Sequence, residues 1–76
     1  MKVMVERIAR ALVNRPAEVE VREVEEDGET VLELQVAQED LGKVIGRQGR
    51  TARAIRTLLG VTGARSGRRF TLEILE

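Results

Sequence analysis

The sequence predicts an α+β domain with the element order α-β-β-α-α-β, and three patterns support this fold class. Apolar residues recur at helical spacing near the N-terminus and again after Gly42. They alternate with other residues over residues 19–24, 32–36 and 70–74, as strands do. Asp27-Gly28 separates the first two of these runs and predicts a hairpin. Helices separate the last two strands, which should lie parallel if they are neighbours, so we expect three helices on one face of a three-stranded mixed sheet.

The first helix is predicted by Val5, Ile8 and Leu12, which share one helical face. Asn14 and Pro16 follow this pattern and are expected to end the helix.

The first strand contains an irregularity, because Val24 is out of phase with Val19 and Val21. We expect a bulge or an early strand end near Arg22 to Val24. After the second strand, Asp40 is placed to cap a short helix over residues 41–45.

The helix before the last strand should run from about Arg50 to Leu59. Gly60 and Gly63 follow, and each glycine costs a helix about 1 kcal/mol relative to alanine. We therefore expect a variable loop over residues 60–68, with the alternative that the helix continues through weakened turns.

Length and composition limit the classes of function. Seventy-six residues make a single domain, residues 1–76. With neither His nor Cys, the chain lacks the commonest general base and the strongest nucleophile, so we predict no enzyme, no catalytic residue, no metal site and no cofactor. The absence of Cys favours a reducing, intracellular compartment, and no apolar run approaches the roughly 20 residues of a membrane span.

The zero net charge conceals a strong division. Eight basic residues and no acid lie between Leu41 and Leu72, whereas seven acids and one Arg lie between Glu18 and Glu29. Such asymmetry indicates either a polyanion-binding face backed by an acidic face or two solvated faces that balance for solubility.

The segment GRQG, residues 46–49, lies between two predicted helices. Glycine permits backbone angles closed to other residues and lets a ligand backbone approach. The helix that starts after Gly49 points its unpaired N–H groups and positive dipole end at this tetrad, which favours phosphate. On its own, the spacing Gly-x-x-Gly also fits a tight turn without a ligand.

The longer pattern resembles the signature of the KH domain, Val-Ile-Gly-x-x-Gly-x-x-x-x-x-Ile, at Val44, Ile45, Gly46, Gly49 and Ile55. The element order is that of the type II KH fold. The stretch DLGKVIGRQGRTARAIRTLL is very similar to the central segment of the small bacterial single-KH proteins of the KhpA family.

The resemblance implies a cytoplasmic RNA-binding protein, a global RNA chaperone or post-transcriptional regulator linked to the cell envelope, cell shape and division. It implies that the tetrad clamps about four nucleotides of single-stranded RNA and that bases lie over an aliphatic groove. The residues expected to contact RNA are Lys43, Val44, Ile45, Gly46, Arg47, Gln48, Gly49, Arg50, Arg53, Arg65 and Arg68.

The alternative function is a protein-interaction module. The resemblance implies a homodimer, or a heterodimer with a larger KH-containing protein of the KhpB/Jag type. Leu58 points partly away from the core stripe, so it either lies on a self-association surface or completes the core.

Overall fold

The computed structural model describes all of residues 1–76, and its elements follow the predicted order. Short 3₁₀ turns occupy Pro16–Glu18, Gln38–Asp40 and Arg47–Gly49. The helices and strands are α1 (Lys2–Leu12), β1 (Glu20–Glu26), β2 (Glu29–Gln35), α2 (Leu41–Ile45), α3 (Arg50–Ser66) and β3 (Phe70–Ile74).

The sheet is mixed, as predicted, with the strand order β1-β2-β3. β1 and β2 are antiparallel, and β2 and β3 are parallel. Asp27 (φ 51°) and Gly28 (φ 78°) form the two-residue hairpin turn, with the positive φ values that such a turn requires. Because β2 is central, β1 and β3 each leave one edge of the sheet unpaired.

The predicted bulge near Val24 is wrong. β1 pairs with β2 without interruption from Glu20 opposite Gln35 to Glu26 opposite Glu29. Val24 lies opposite Val31, and both valines are half-buried on the sheet face that carries no helix. The residue is out of phase because it belongs to this outer face, where the two valines form a cross-strand pair.

One apolar core joins the inner face of the sheet to all three helices. Leu32 and Leu34 on the central strand have no exposed surface. The buried core residues on the helices are Val5 and Ala9 on α1, Val44 on α2, and Ile55 and Leu59 on α3. No helix is both long and apolar enough to cross a membrane.

Asp40 precedes α2 but does not cap it with its side chain, contrary to expectation. The carboxylate is fully buried and accepts hydrogen bonds from the backbone N–H groups of Asn14 (3.2 Å) and Arg15 (3.0 Å). Its Oδ1 also lies 3.8 Å from the ammonium of Lys43. A buried carboxylate therefore fastens the end of α1 to the start of α2, which holds the short helix in place.

The predicted variable loop over residues 60–68 is wrong for most of its length. The alternative, that the helix continues past Gly60, is confirmed, because α3 extends to Ser66. Gly63 is buried where the helix meets the chain ahead of β3. A Cβ at Gly63 would lie 2.5 Å from the Arg68 carbonyl oxygen and 3.1 Å from the Phe70 ring. Glycine here permits close packing, and the burial gained offsets the low helix propensity.

The connection from α3 to β3 is only three residues long, residues 67–69. Gly67 ends the helix in the left-handed conformation (φ 67°), and the Arg68 N–H donates to the Gly63 carbonyl at 2.8 Å. This is the common glycine C-cap, in which a left-handed residue lets backbone N–H groups satisfy the last carbonyls.

Candidate nucleic-acid interface

The tetrad of residues 46–49 has an unusual backbone, with positive φ at three of its four residues. Gly46 combines φ 79° with ψ 168°, a region that essentially only glycine enters. A Cβ at Gly46 would also lie 2.7 Å from the backbone nitrogen of Thr51 and would overlap its hydroxyl. Gly49 (φ 74°) has open space around its Cα, so its requirement for glycine comes from φ alone.

Gln48 is held in the left-handed region (φ 58°, ψ 24°), which costs a residue with a Cβ on the order of 1 kcal/mol. Its backbone and side chain both accept hydrogen bonds from the first turn of α3. Arg50 donates to Oε1 of Gln48, and Arg53 donates to its backbone carbonyl, each at 3.4 Å. These contacts gather two guanidinium groups beside the exposed tip of the tetrad.

The arginines around the tetrad have no acidic partner within the chain. α3 begins at Arg50 with no side-chain cap and no acid in its first turn. None of the five arginines in the tetrad and α3 forms an ion pair: Arg47, Arg50, Arg53, Arg56 and Arg65. The helix dipole and free guanidinium groups together produce a positive potential at this end of α3.

The residues of α2 reach this surface to different extents. Lys43 is exposed beside the tetrad, and Ile45 is half-buried. Val44 is fully buried in the core and therefore offers no surface to a ligand. Val44 was predicted to contact RNA, but in the structure it instead packs in the core and holds α2 against the sheet.

A groove of about 340 Å³ opens directly beside the tetrad. Its floor combines Ile45 and Ala52 from the helices with Leu72 and Ile74 from β3. Gly49 lies at its margin, so the tetrad and the groove form one continuous surface.

The strand side of the groove carries unpaired backbone groups. The Arg69 carbonyl accepts from Thr30 of β2, and the Leu75 N–H donates to Leu34 of β2, both at 2.9 Å. Because pairing alternates along a parallel strand, the odd-numbered residues of β3 bond to β2 and the even-numbered ones face the free edge. The N–H and C=O groups of Leu72 and Ile74 therefore point towards the groove.

A family model described as "KhpA/KhpB, KH domain" matches residues 2–74. The chain belongs to this family. The expected type II KH fold is confirmed by the three helices and the three-stranded mixed sheet. The KhpA/KhpB KH family is not an enzyme family.

Several curated relatives carry the name RNA-binding protein KhpA. The protein of Borreliella burgdorferi is 51% identical over 73 residues, covering 96% of this chain and 89% of the relative. That of Treponema pallidum is 54% identical over 69 residues, covering 91% and 86%. That of Aquifex aeolicus is 49% identical over 76 residues, covering 100% and 96%. No solved structure matches the chain significantly.

Two predicted contact residues of this KH domain lie away from the tetrad. Arg65 is fifteen residues after Arg50 along α3, a distance of about 22 Å at 1.5 Å per residue. Arg68 lies 3.7 Å from Glu25, donates to Thr30 Oγ1 at 3.2 Å, and places its guanidinium 5.2 Å from the centre of the Phe70 ring. The structure therefore brings neither of them to the groove.

Arg56 lines the groove of the KH domain, although it was not predicted to contact RNA. Its Nη2 donates to the Leu72 carbonyl at 3.5 Å. The sequence does contain a pattern that could have predicted this position, the three-residue spacing of Arg50, Arg53 and Arg56. At 100° per residue, this repeat rotates by about 120° between its first and last members, which carries Arg56 towards the sheet.

The other face of the KH domain has the opposite charge. Side chains alternate along each strand, so the outer face of the sheet carries the residues between the buried ones. Its acids are Glu20, Glu26, Glu29, Glu33 and Glu73, against the single Arg22. No three potential metal ligands among His, Cys, Asp and Glu lie close enough to hold an ion.

Proposed function

We propose that this KH domain binds single-stranded RNA, with the sugar-phosphate backbone on the tetrad and the bases in the adjoining groove. The observation that carries the proposal is the continuity of the two surfaces. Gly49 belongs to the tetrad and also lines the groove. A nucleotide chain lying across this residue would place phosphate on one side and base on the other.

The tetrad supplies what phosphate binding requires. Gly46 and Gly49 have no Cβ, so a ligand backbone can approach the tetrad closely. The N-terminal end of α3 favours negative charge. The exposed cations without an acidic partner are Arg47, Arg50 and Arg53, and Lys43 lies beside them with its ammonium 3.8 Å from Asp40. A KH clamp of this kind holds about four nucleotides.

The groove supplies what base binding requires without aromatic stacking. The only aromatic residue, Phe70, is half-buried and lies under the Arg68 guanidinium. Ile45, Ala52 and Ile74 instead provide an aliphatic floor. Free backbone groups of β3 provide donors and acceptors at its edge, where unstacked bases present their own polar edges.

A single domain that holds about four nucleotides should bind many RNAs weakly and exchange between them quickly. This behaviour supports a role as an RNA chaperone or post-transcriptional regulator of the bacterial cytoplasm. Relatives named as RNA-binding proteins, which share about half of their residues with this chain, support the same ligand class.

The test places two carboxylates in the clamp with Arg47→Asp and Gln48→Asp. Both side chains are exposed, and Asp tolerates the left-handed backbone of Gln48, so the fold should be retained. Fluorescence anisotropy with a short single-stranded RNA should show binding lost. For the wild type, the logarithm of affinity should fall with the logarithm of salt concentration with a slope of about 0.7 per phosphate contact.

The matched control is Arg7→Asp with Ala17→Asp, two exposed positions outside the interface. Both double variants lower the net charge by three. The control should keep most of the wild-type affinity at physiological salt. Undiminished RNA binding by a folded Arg47→Asp/Gln48→Asp variant would overturn the clamp.

A second candidate function is protein pairing, and one observation favours it. Leu58 and Val61 on α3 are 49% and 56% exposed and lie one turn apart. Of the two interpretations of Leu58, completion of the core is therefore wrong, and the self-association surface remains. We infer that this apolar pair contacts a second copy or a larger KH-containing protein, an arrangement that would strengthen weak RNA binding by avidity.

A further inference from the structure

The groove differs from the tetrad in its charges. Among the residues that line it, Arg56 is the only cation and Glu76 is an acid, while the side chain of Glu73 lies on the outer face of the sheet. A groove with one guanidinium group and one carboxylate is a poorer path for phosphates than the tetrad, whose neighbouring arginines have no acidic partner. If RNA binds as proposed above, Arg56 thus lies among bases rather than along the sugar-phosphate backbone.

The position of Arg56 is set by both walls of the groove. Its backbone is on α3, and its Nη2 reaches the unpaired Leu72 carbonyl on the free edge of β3 at 3.5 Å. No acid pairs with it. A guanidinium group has five N–H donors in a planar fork, and the single bond to Leu72 leaves most of them for a ligand.

Nucleobases differ in how they match such a fork. Guanine presents O6 and N7, and cytosine presents O2 and N3, as two adjacent acceptors. On their Watson–Crick and Hoogsteen edges, adenine and uracil present no two adjacent acceptors, so a two-pronged donor meets only one partner there. Arginine fits adjacent acceptors through two parallel bonds, and lysine cannot because it is a point charge.

We propose that Arg56 selects the base in the groove by recognising two adjacent acceptors, those of guanine or cytosine. This inference rests on the proposed function, because it assumes that bases occupy the groove. It extends that proposal by naming the residue and the base edge that set specificity.

The experiment uses the full chain and four octauridine probes that differ at one central position, which carries U, A, C or G. The wild type should bind the C or the G probe about tenfold more tightly than the A and U probes, as one bidentate contact allows. Comparison of the C and G probes identifies which base is preferred. Arg56→Lys keeps the charge and should reduce all differences to within about twofold while leaving the salt dependence unchanged.

Arg65→Lys is the control on the same helix, and its exposed side chain lies outside the groove. It should keep the wild-type preference, and circular dichroism should show both variants folded. Equal binding of all four probes by the wild type would overturn the inference and leave the proposed function intact. A base preference that persists in Arg56→Lys would also overturn the inference and leave the proposed function intact. Failure of the wild type to bind any probe would instead overturn the proposed function, and this inference with it.

Discussion

The two ends of α3 contain the same types of residue, glycines and arginines, in opposite physical situations. At the N-terminal end, Gly46 and Gly49 have positive φ, and neighbouring arginines have no acidic partner. At the C-terminal end, Gly63 is helical and buried, and Arg68 is paired with Glu25.

The difference shows that surroundings, and not residue type alone, decide whether a glycine or an arginine makes contacts within the chain or remains free. Around the tetrad, the donors and charges remain available and the backbone is held in a costly conformation. At the C-terminal end, Gly63 and Arg68 make contacts within the chain, and these contacts stabilise the fold. Changes at the N-terminal end should therefore alter affinity for RNA, and changes at the C-terminal end should alter stability.

The largest expected effect on stability comes from Gly63→Ala. The new Cβ would lie 2.5 Å from a backbone carbonyl oxygen, and overpacking of this kind costs about 2 kcal/mol. Gly60→Ala is the matched control, because no atom lies within 4 Å of its new Cβ and the helix gains about 1 kcal/mol. Thermal unfolding should separate the two variants by about 15 °C.

Both variants should bind RNA as tightly as the wild type at a temperature where they are folded. Equal melting temperatures for the two alanine variants would mean that the chain ahead of β3 does not pack against Gly63. Loss of RNA binding in folded Gly63→Ala would mean that the two ends of α3 are not independent.

The same contrast separates the features that the sequence predicts correctly from those that it does not. The strands, the hairpin and the tetrad follow from local signals, such as the alternation of Leu32 and Leu34 and the Asp27-Gly28 turn. These signals depend on nearest neighbours along the chain, and the structure confirms the strands and the turn.

What sequence reasoning missed depends on contacts between distant segments. Gly63 looked like a helix breaker, because the backbone that packs against it lies beyond the helix end. Asp40 looked like a cap, because its true partners, Asn14 and Arg15, lie about 25 residues earlier. Arg56 was not predicted to contact RNA, because the Leu72 carbonyl that it contacts lies sixteen residues later, on β3.

The next effect in size concerns the apolar surface on the second half of α3. Leu58→Asp puts a charge at a residue that is 49% exposed, so stability should change by less than about 1 kcal/mol. If this surface pairs with a second copy, a buried, unpaired carboxylate should weaken the dimer by about 2 kcal/mol, more than tenfold. Sedimentation velocity over a range of concentrations measures the change.

Ala17→Asp is the control, because it adds the same charge at an exposed residue outside α3. It should leave the association of the wild type unchanged. A wild type that remains monomeric at every concentration would rule out the homodimer. Leu58 and Val61 would then be expected to contact a different protein.

The smallest expected effects, and the most direct comparison of the two ends, come from Arg68→Gln and Arg50→Gln. Arg68 makes an exposed ion pair and a cation–π contact, which together stabilise the fold by about 1 kcal/mol. Arg68→Gln should therefore lower the melting temperature by a few degrees and leave RNA affinity nearly unchanged. Arg50 forms no ion pair, so Arg50→Gln should leave the melting temperature unchanged, weaken RNA binding a few fold and reduce the salt slope by about 0.7.

Each variant removes one positive charge, so a purely electrostatic, whole-molecule attraction for RNA would weaken equally in both. A local clamp at the N-terminal end of α3 predicts unequal losses, because only Arg50 lies beside the tetrad. The ratio of the two affinities at several salt concentrations therefore distinguishes a positioned phosphate contact from general charge attraction. Equal losses would show that the free charges around the tetrad attract RNA without holding it in one place.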